Sequence, residues 1–202
     1  MTEVVVVDIE TTGFHRNLDR VLEVAAVTVD VEAGTITDLY NNTCRPDGRM
    51  GTRRNLERTW IVRNGIMDVD EVLEATPTEI VAEELRQSVG MRNQRWTAFN
   101  LAFEEKFLVS TTWRIRTSKL PCIMLAATPV CKLPHIFEYG NRGDYKWPNL
   151  EEAYSIIIGR KLEKHHRALE DARHAAEVML NLIERGKYLC GMCARELREG
   201  GA

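Results

Sequence analysis

The chain contains no run of about 18 consecutive apolar residues, so no membrane-spanning helix is expected. Its first residues enter a valine-rich segment without the basic, apolar and small-residue layout of a secretion signal. Its five cysteines are odd in number and scattered, at Cys44, Cys122, Cys131, Cys190 and Cys193. That pattern argues against a disulfide framework and for a reducing, cytoplasmic setting. Charge of one sign is not in large excess either. Lys and Arg number 27 against 30 Asp and Glu, a net charge of −3, which excludes a global basic field. No internal repeat and no domain linker interrupts the 202 residues, a length suited to one sizeable core.

One stretch departs from this even balance. Arg45, Arg49, Arg53, Arg54, Arg58 and Arg63 crowd together with only Asp47 and Glu57 among them. They read either as a local nucleic-acid-facing patch or as a solvated loop.

The most informative segment is Val4-Val5-Val6-Val7-Asp8-Ile9-Glu10-Thr11-Thr12-Gly13. Four valines in a row fit a central strand buried on both faces. Alternate strand residues share a face, so Asp8 and Glu10 project together, roughly 6–7 Å apart. Paired carboxylates at the end of a buried strand repel and are costly to desolvate. A hard divalent cation such as magnesium or manganese relieves both costs. The plainer alternative is a strand that ends at Asp8 and turns into solvent.

Further along, residues 21–30 and 36–43 read as strands that form an antiparallel meander with the first. Residues 45–63 read as irregular. A helix is expected within 68–89, with Thr76-Pro77 as cap and first turn. A short strand over 96–99 leads to a helix over 101–109 capped by Asn100. Another strand is expected over 120–125, then a long loop over 126–148. Asn149 caps a helix ended by Gly159. The last helix runs over 168–185, with Leu169, Ala172, Ala176, Leu180 and Ile183 on one stripe. The order predicts an α/β fold with a mixed five-stranded sheet flanked by helices.

Two further motifs carry acids. The segment 99–107 places Glu104 on a helix between Phe103 and Phe107. The segment His166-Arg167-Ala168-Leu169-Glu170-Asp171 separates a histidine and an aspartate by five residues, about 140° on an ideal helix. The two share a site only if His166 lies on the loop entering the helix.

With these motifs in order, the chain resembles the DEDDh-class 3′–5′ exonucleases of the ribonuclease H-like superfamily, which include the epsilon proofreading subunit and ribonuclease T. The Asp-x-Glu-Thr motif is matched by Asp8, Glu10 and Thr11, continued by Thr12-Gly13. The second motif, commonly His-Asn-x-x-Phe-Asp-x-x-Phe, is matched at Asn100, Phe103 and Phe107. Phe99 stands for its histidine and Glu104 for its aspartate. The His-x-Ala-x-x-Asp motif is matched by His166, Ala168 and Asp171. Residues 145–150 are similar to the family's lead-in to its penultimate helix.

The resemblance covers residues 3 to 185. It implies an exonuclease domain over 1–186, followed by a tail over 187–202. It also implies two divalent cations, Mg2+ or Mn2+, about 4 Å apart and held by Asp8, Glu10, Glu104 and Asp171. His166 would take the proton from the attacking water, a task suited to imidazole. Nucleoside 5′-monophosphates would leave the 3′ end of single-stranded DNA or RNA. Thr11, Gly13, Phe14 and Asn100 would line the nucleic acid, with Phe14 either stacking on the terminal base or packing in the core.

His165 rivals His166, and Glu105 rivals Glu104. Cys190 and Cys193 form one CxxC, read as half a zinc site, a redox pair or plain tail. No polymerase domain is evident, so a polymerase would act in trans. The alternative function is a catalytically weakened nucleic-acid-binding or protein-interaction module on the same fold.

Overall fold

A computed structural model describes residues 3–90, 95–135, 145–162 and 166–188. Three long strands come first: β1 (Glu3–Thr11), β2 (Val21–Asp30) and β3 (Thr35–Arg45). They pair antiparallel in succession, with β2 between β1 and β3. A 3-10 turn (Gly48–Gly51) and three short helices follow: α1 (Arg53–Leu56), α2 (Trp60–Arg63) and α3 (Val69–Glu74). The chain continues through β4 (Thr76–Pro77), α4 (Thr78–Gly90), β5 (Arg95–Thr97) and α5 (Leu101–Leu108). It is completed by α6 (Ile123–Cys131), α7 (Leu150–Ile158) and α8 (Ala168–Glu184). The sheet order is β4-β3-β2-β1-β5, with β4 and β5 parallel to their neighbours. The fold is α/β with a mixed five-stranded sheet flanked by helices.

The valine run explains where β1 lies. Val4 and Val6 pack with Val27 and Val29 against α6, α7 and α8. Val5, Val7 and Ile9 face the opposite way, against α4, Trp96 and the end of α5. Each fully buried valine contributes about 1.5–3 kcal/mol, so β1 is held from both faces. This alternation puts Asp8 and Glu10 on the α8 side, in phase with Val4 and Val6. A smaller core of Leu22, Leu56, Ile61, Met67 and Val72 anchors α1, α2 and α3 to β2.

Four expectations are corrected. Residues 120–125 do not form a strand: one bridge joins Lys119 to Trp96, and the chain then enters α6. Ile123, Met124, Ala127 and Cys131 are the buried positions of that helix, a helical spacing hidden in a short apolar run. It also occupies the start of the expected 126–148 loop, whose residues 136–144 lie outside the described part. The fifth strand is instead Thr76–Pro77, which pairs with Cys44 and Arg45. Those two residues therefore separate α3 from α4, where one cap and first turn were expected. Residues 45–63, expected to be irregular, contain the 3-10 turn and two of the short helices.

The helix ends near the site follow local chemistry closely. Asn149 and Glu152 form a reciprocal capping box on α7, and Gly159 closes that helix in the left-handed conformation. Asn100 stands at the N-cap of α5, but its side chain makes no capping hydrogen bond. Its carbonyl instead accepts the N–H of Phe103 at 2.7 Å.

Candidate active site

The site is assembled from three separate elements. β1 supplies Asp8 and Glu10, α5 supplies Glu104 in its first turn, and the entry to α8 supplies His166 and Asp171. Glu104 and Asp171 are buried, while Asp8 and Glu10 keep a partly exposed edge. A carboxylate oxygen of Glu10, one of Asp171 and a ring nitrogen of His166 lie within 4.8 Å of one another. Asp171 accepts the backbone N–H of His166 through Oδ2 at 3.0 Å. That bond holds His166 on the turn preceding the helix, in the left-handed region at φ 67°. The turn solves the geometric problem posed by the five-residue spacing.

The electrostatics of the cluster are those of crowded acids. Asp8 is held well above the ordinary carboxylate range, by burial first and then by Glu104, Asp171, Glu10 and Glu23. Glu10 is pushed up to about 8 by burial, then Asp171 and Glu23, with Arg167 opposing. Glu104 is pushed up to about 8 mainly by burial, against its own backbone hydrogen bond, with Glu10 adding to the rise. Glu104 Oε2 and Asp171 Oδ1 are buried and accept no hydrogen bond. Such atoms ordinarily find a partner, and hard oxygens gathered this way fit a divalent cation.

Glu105 points elsewhere and pairs with Lys119. The glutamate of the second motif is thus Glu104, one helical position away in sequence and on a different face. Phe99 is 6% exposed and belongs to the core. His165, Cys190 and Cys193 lie outside the described residues.

The loop after β1 is stapled by Asp19. Thr12 Oγ1 donates to Asp19 Oδ1 at 3.0 Å, and the His15 N–H donates to Oδ2 at 2.8 Å. Thr11 Oγ1 donates to the Gly13 carbonyl at 2.6 Å. A Cβ on Gly13 would lie 2.7 Å from both Asp19 oxygens, so a larger residue there would displace the Asp19 side chain that staples the loop. Phe14, next along, is 78% exposed, which removes the core-packing alternative. Its ring meets Phe103 edge-on at 6.1 Å, beside Glu104.

Two features escaped the sequence reading. Trp60 is 58% exposed and lies edge-on to the His166 ring, 5.2 Å between centroids. Thus Phe14 stands against Phe103 at the start of α5, and Trp60 against the His166 ring. The arginines around Trp60, Arg49, Arg53, Arg54, Arg58 and Arg63, are exposed. The second feature is Glu23, 2% exposed and paired with Arg167. An exposed aromatic among arginines was visible in the sequence around Trp60. Glu23 gave no local signal.

A mixed sheet of this order, with acids gathered at the end of β1, has the ribonuclease H-like fold. The family RNase_T, described as Exonuclease, matches residues 5–179, and the chain belongs to it. The DNA polymerase III PolC-type protein of Clostridium perfringens is 29% identical over 185 residues, covering 88% of this chain and 11% of that protein. The PolC-type protein of Thermotoga petrophila is 28% identical over 186 residues, covering 92% of this chain and 12% of that protein. The chain therefore spans about an eighth of these relatives. Among solved structures, E. coli Exonuclease I in complex with a 5cy-dT13 oligonucleotide is similar, with a TM-score of 0.66 and 16% identity. It covers 91% of this chain and 41% of its own. Cell-death related nuclease 4 (CRN-4) gives a TM-score of 0.63 at 14% identity, covering 92% and 64%. Among the described residues, no helix is long and apolar enough to cross a membrane.

Proposed function

We propose that the chain is a metal-dependent 3′–5′ exonuclease that releases nucleoside 5′-monophosphates from single-stranded DNA or RNA, with residues 1–186 as the exonuclease domain. The observation that carries this reading is the convergence of Asp8, Glu10, Glu104 and Asp171, two of them with an orphaned buried oxygen. These four hold two divalent cations, Mg2+ or Mn2+, which when bound supply charge stabilisation at the phosphate. His166, with a ring nitrogen close to the carboxylates of Glu10 and Asp171, takes a proton from the attacking water. The new bond joins the water oxygen to phosphorus. The bond to the 3′ oxygen breaks, that oxygen takes a proton from solvent, and a shortened strand with a free 3′ hydroxyl remains as the nucleoside 5′-monophosphate departs.

The nucleic acid is held by the loop containing Thr11, Gly13 and Phe14 and by the turn at Asn100. Trp60 flanks the His166 side, and the exposed Arg49 and Arg58 line a surface pocket with Thr12 and Asp19. Exposed rings offer stacking without base readout, which suits a nuclease acting on any terminal nucleotide. The PolC-type relatives, in which the matched segment is a small part of one long protein, support association with a polymerase as an extension of this reading.

The test is digestion of matched single-stranded DNA and RNA oligonucleotides with magnesium or manganese. A blocked 3′ end should stop degradation, and a blocked 5′ end should not. Cleavage of closed circular strands would indicate an endonuclease. Binding without cleavage of any strand would favour the weakened-module reading.

A further inference from the structure

Behind the cluster lies a charged network that takes no part in the reaction described above. Glu23 is 2% exposed, and both of its oxygens are committed. Arg167 Nη2 and Nε donate to Oε1 at 3.0 and 3.2 Å, and Nε also donates to Oε2 at 3.0 Å. The Ala168 N–H, in the first turn of α8, donates to Oε2 at 3.0 Å. Arg167 Nη2 reaches onward to Glu71 Oε1 on α3 at 2.8 Å. Glu71 Oε1 also accepts from the Thr43 hydroxyl at 3.1 Å. One guanidinium thus joins β2 and α3 to the start of α8.

Arg167 directly follows His166, which occupies a left-handed turn uncommon for a non-glycine residue. On one side the turn is held by the His166 N–H on Asp171. On the other it is held by Arg167 on Glu23 and Glu71. The planar fork of arginine can serve both carboxylates at once. A lysine ammonium has neither that span nor that geometry.

We propose that Arg167, clamped between Glu23 and Glu71, is a positioning residue that fixes His166 against Glu10 and Asp171. The inference rests on the role of His166 given under Proposed function.

The experiment is a double-mutant cycle on the full chain. It uses a 5′-labelled single-stranded DNA oligonucleotide with manganese, under single-turnover conditions. Arg167→Gln, Arg167→Lys and Glu71→Gln are each compared in the wild-type and His166→Ala backgrounds. In the wild-type background, Arg167→Gln should slow cleavage about 10–100-fold, while the half-saturating oligonucleotide concentration changes less than about threefold. Arg167→Lys should restore only part of that loss. In the His166→Ala background, each substitution should cost less than about threefold, because a residue acting through an absent partner has nothing left to position.

Glu71→Gln releases one side of Arg167 at a half-buried position. It keeps the cycle measurable if Arg167→Gln fails to fold with Glu23 charged and buried. Equal losses in both backgrounds, or no loss in the wild-type background, would overturn the inference and leave the exonuclease reading standing. If the wild type cleaves nothing, both readings fall together; if it cleaves and His166→Ala slows nothing, the inference falls and the exonuclease reading stands with a different proton acceptor.

Discussion

Glu10 on β1 and Glu23 on β2 sit directly opposite one another in the antiparallel ladder. Like charges so placed repel, and the structure treats the two differently. Glu23 receives a guanidinium and a backbone N–H. Glu10 is left in the cluster with Asp171 and His166, its carboxyl pushed up to about 8. The same rise is seen at Glu104. Without metal, the folded protein therefore retains protons on these groups up to about pH 8, whereas an ordinary glutamate loses them near 4.5. The native state binds more protons than the unfolded chain between those values, so this part of its stability falls as pH rises through that window. Chelator-treated protein should unfold at a lower temperature at pH 8.5 than at pH 5.5, other groups being equal. Manganese should raise the unfolding temperature more at the higher pH. Thermal scans at the two pH values with and without manganese measure both effects, and an unchanged manganese response would sink the crowded-carboxylate account.

Asp8→Ala should abolish nuclease activity and leave the fold intact. Removing one acid relieves repulsion at the centre of the cluster when no metal is bound, so the metal-free variant should unfold at or above the wild-type temperature. Normal turnover by a well-folded variant would remove Asp8 from the metal site. Chelation should silence the wild type, and added magnesium or manganese should restore it.

His166→Ala should slow cleavage by about two to four orders of magnitude, the range for a lost general base. Manganese affinity, measured by calorimetry, should change far less. A larger loss from His165→Ala than from His166→Ala would transfer the role to the neighbouring histidine.

Glu104 stands where the family commonly has aspartate, and its longer side chain adds a torsion between helix and cation. Magnesium demands near-ideal octahedral geometry, so activity with manganese should exceed activity with magnesium. Glu104→Gln should cost activity strongly, and Glu104→Asp should be tolerated or improve the magnesium-supported rate. Glu105→Gln should be nearly silent, because Glu105 is engaged with Lys119 on another face. The reverse pattern in steady-state rates would show that the wrong glutamate was assigned.

Phe14→Ala and Trp60→Ala should each weaken oligonucleotide binding by about 1–3 kcal/mol, the usual value of a lost base stack. Fluorescence anisotropy with metal replaced by calcium would measure it. Unchanged affinity in both variants would leave the exposed rings without a role at the nucleic acid.

The acids and the histidine were legible in the sequence because each motif is local: strand alternation pairs Asp8 with Glu10, and the helix-entry motif pairs His166 with Asp171. The caps of α7 were legible for the same reason, since Asn149 and Gly159 act within a few residues of themselves. The 120–125 segment was misread because a short apolar run, with Pro121 and Cys122 near its start, has no period long enough to separate strand from helix. Glu23 escaped notice because its partner Arg167 lies 144 positions away. Nothing in the valine- and alanine-rich β2 signals that a buried acid there will be neutralised. The helices α1 to α3 were obscured by their shortness and by the arginines on their surface, while the small core that anchors them is visible only in three dimensions.

The dependence of the site on α8 has a consequence for the order of assembly. That helix brings Asp171 into the cluster, and in docking it buries Ala172, Ala176 and Met179 against the sheet. Until it docks, β1 and α5 present three carboxylates without the fourth acid or the proton acceptor. A chain in the course of synthesis, or one whose last helix has locally detached, should therefore be unable to cut nucleic acid. Cleavage then reports completion of the whole sheet-and-helix core, so an intermediate caught before that closure would pass by a 3′ end without harming it.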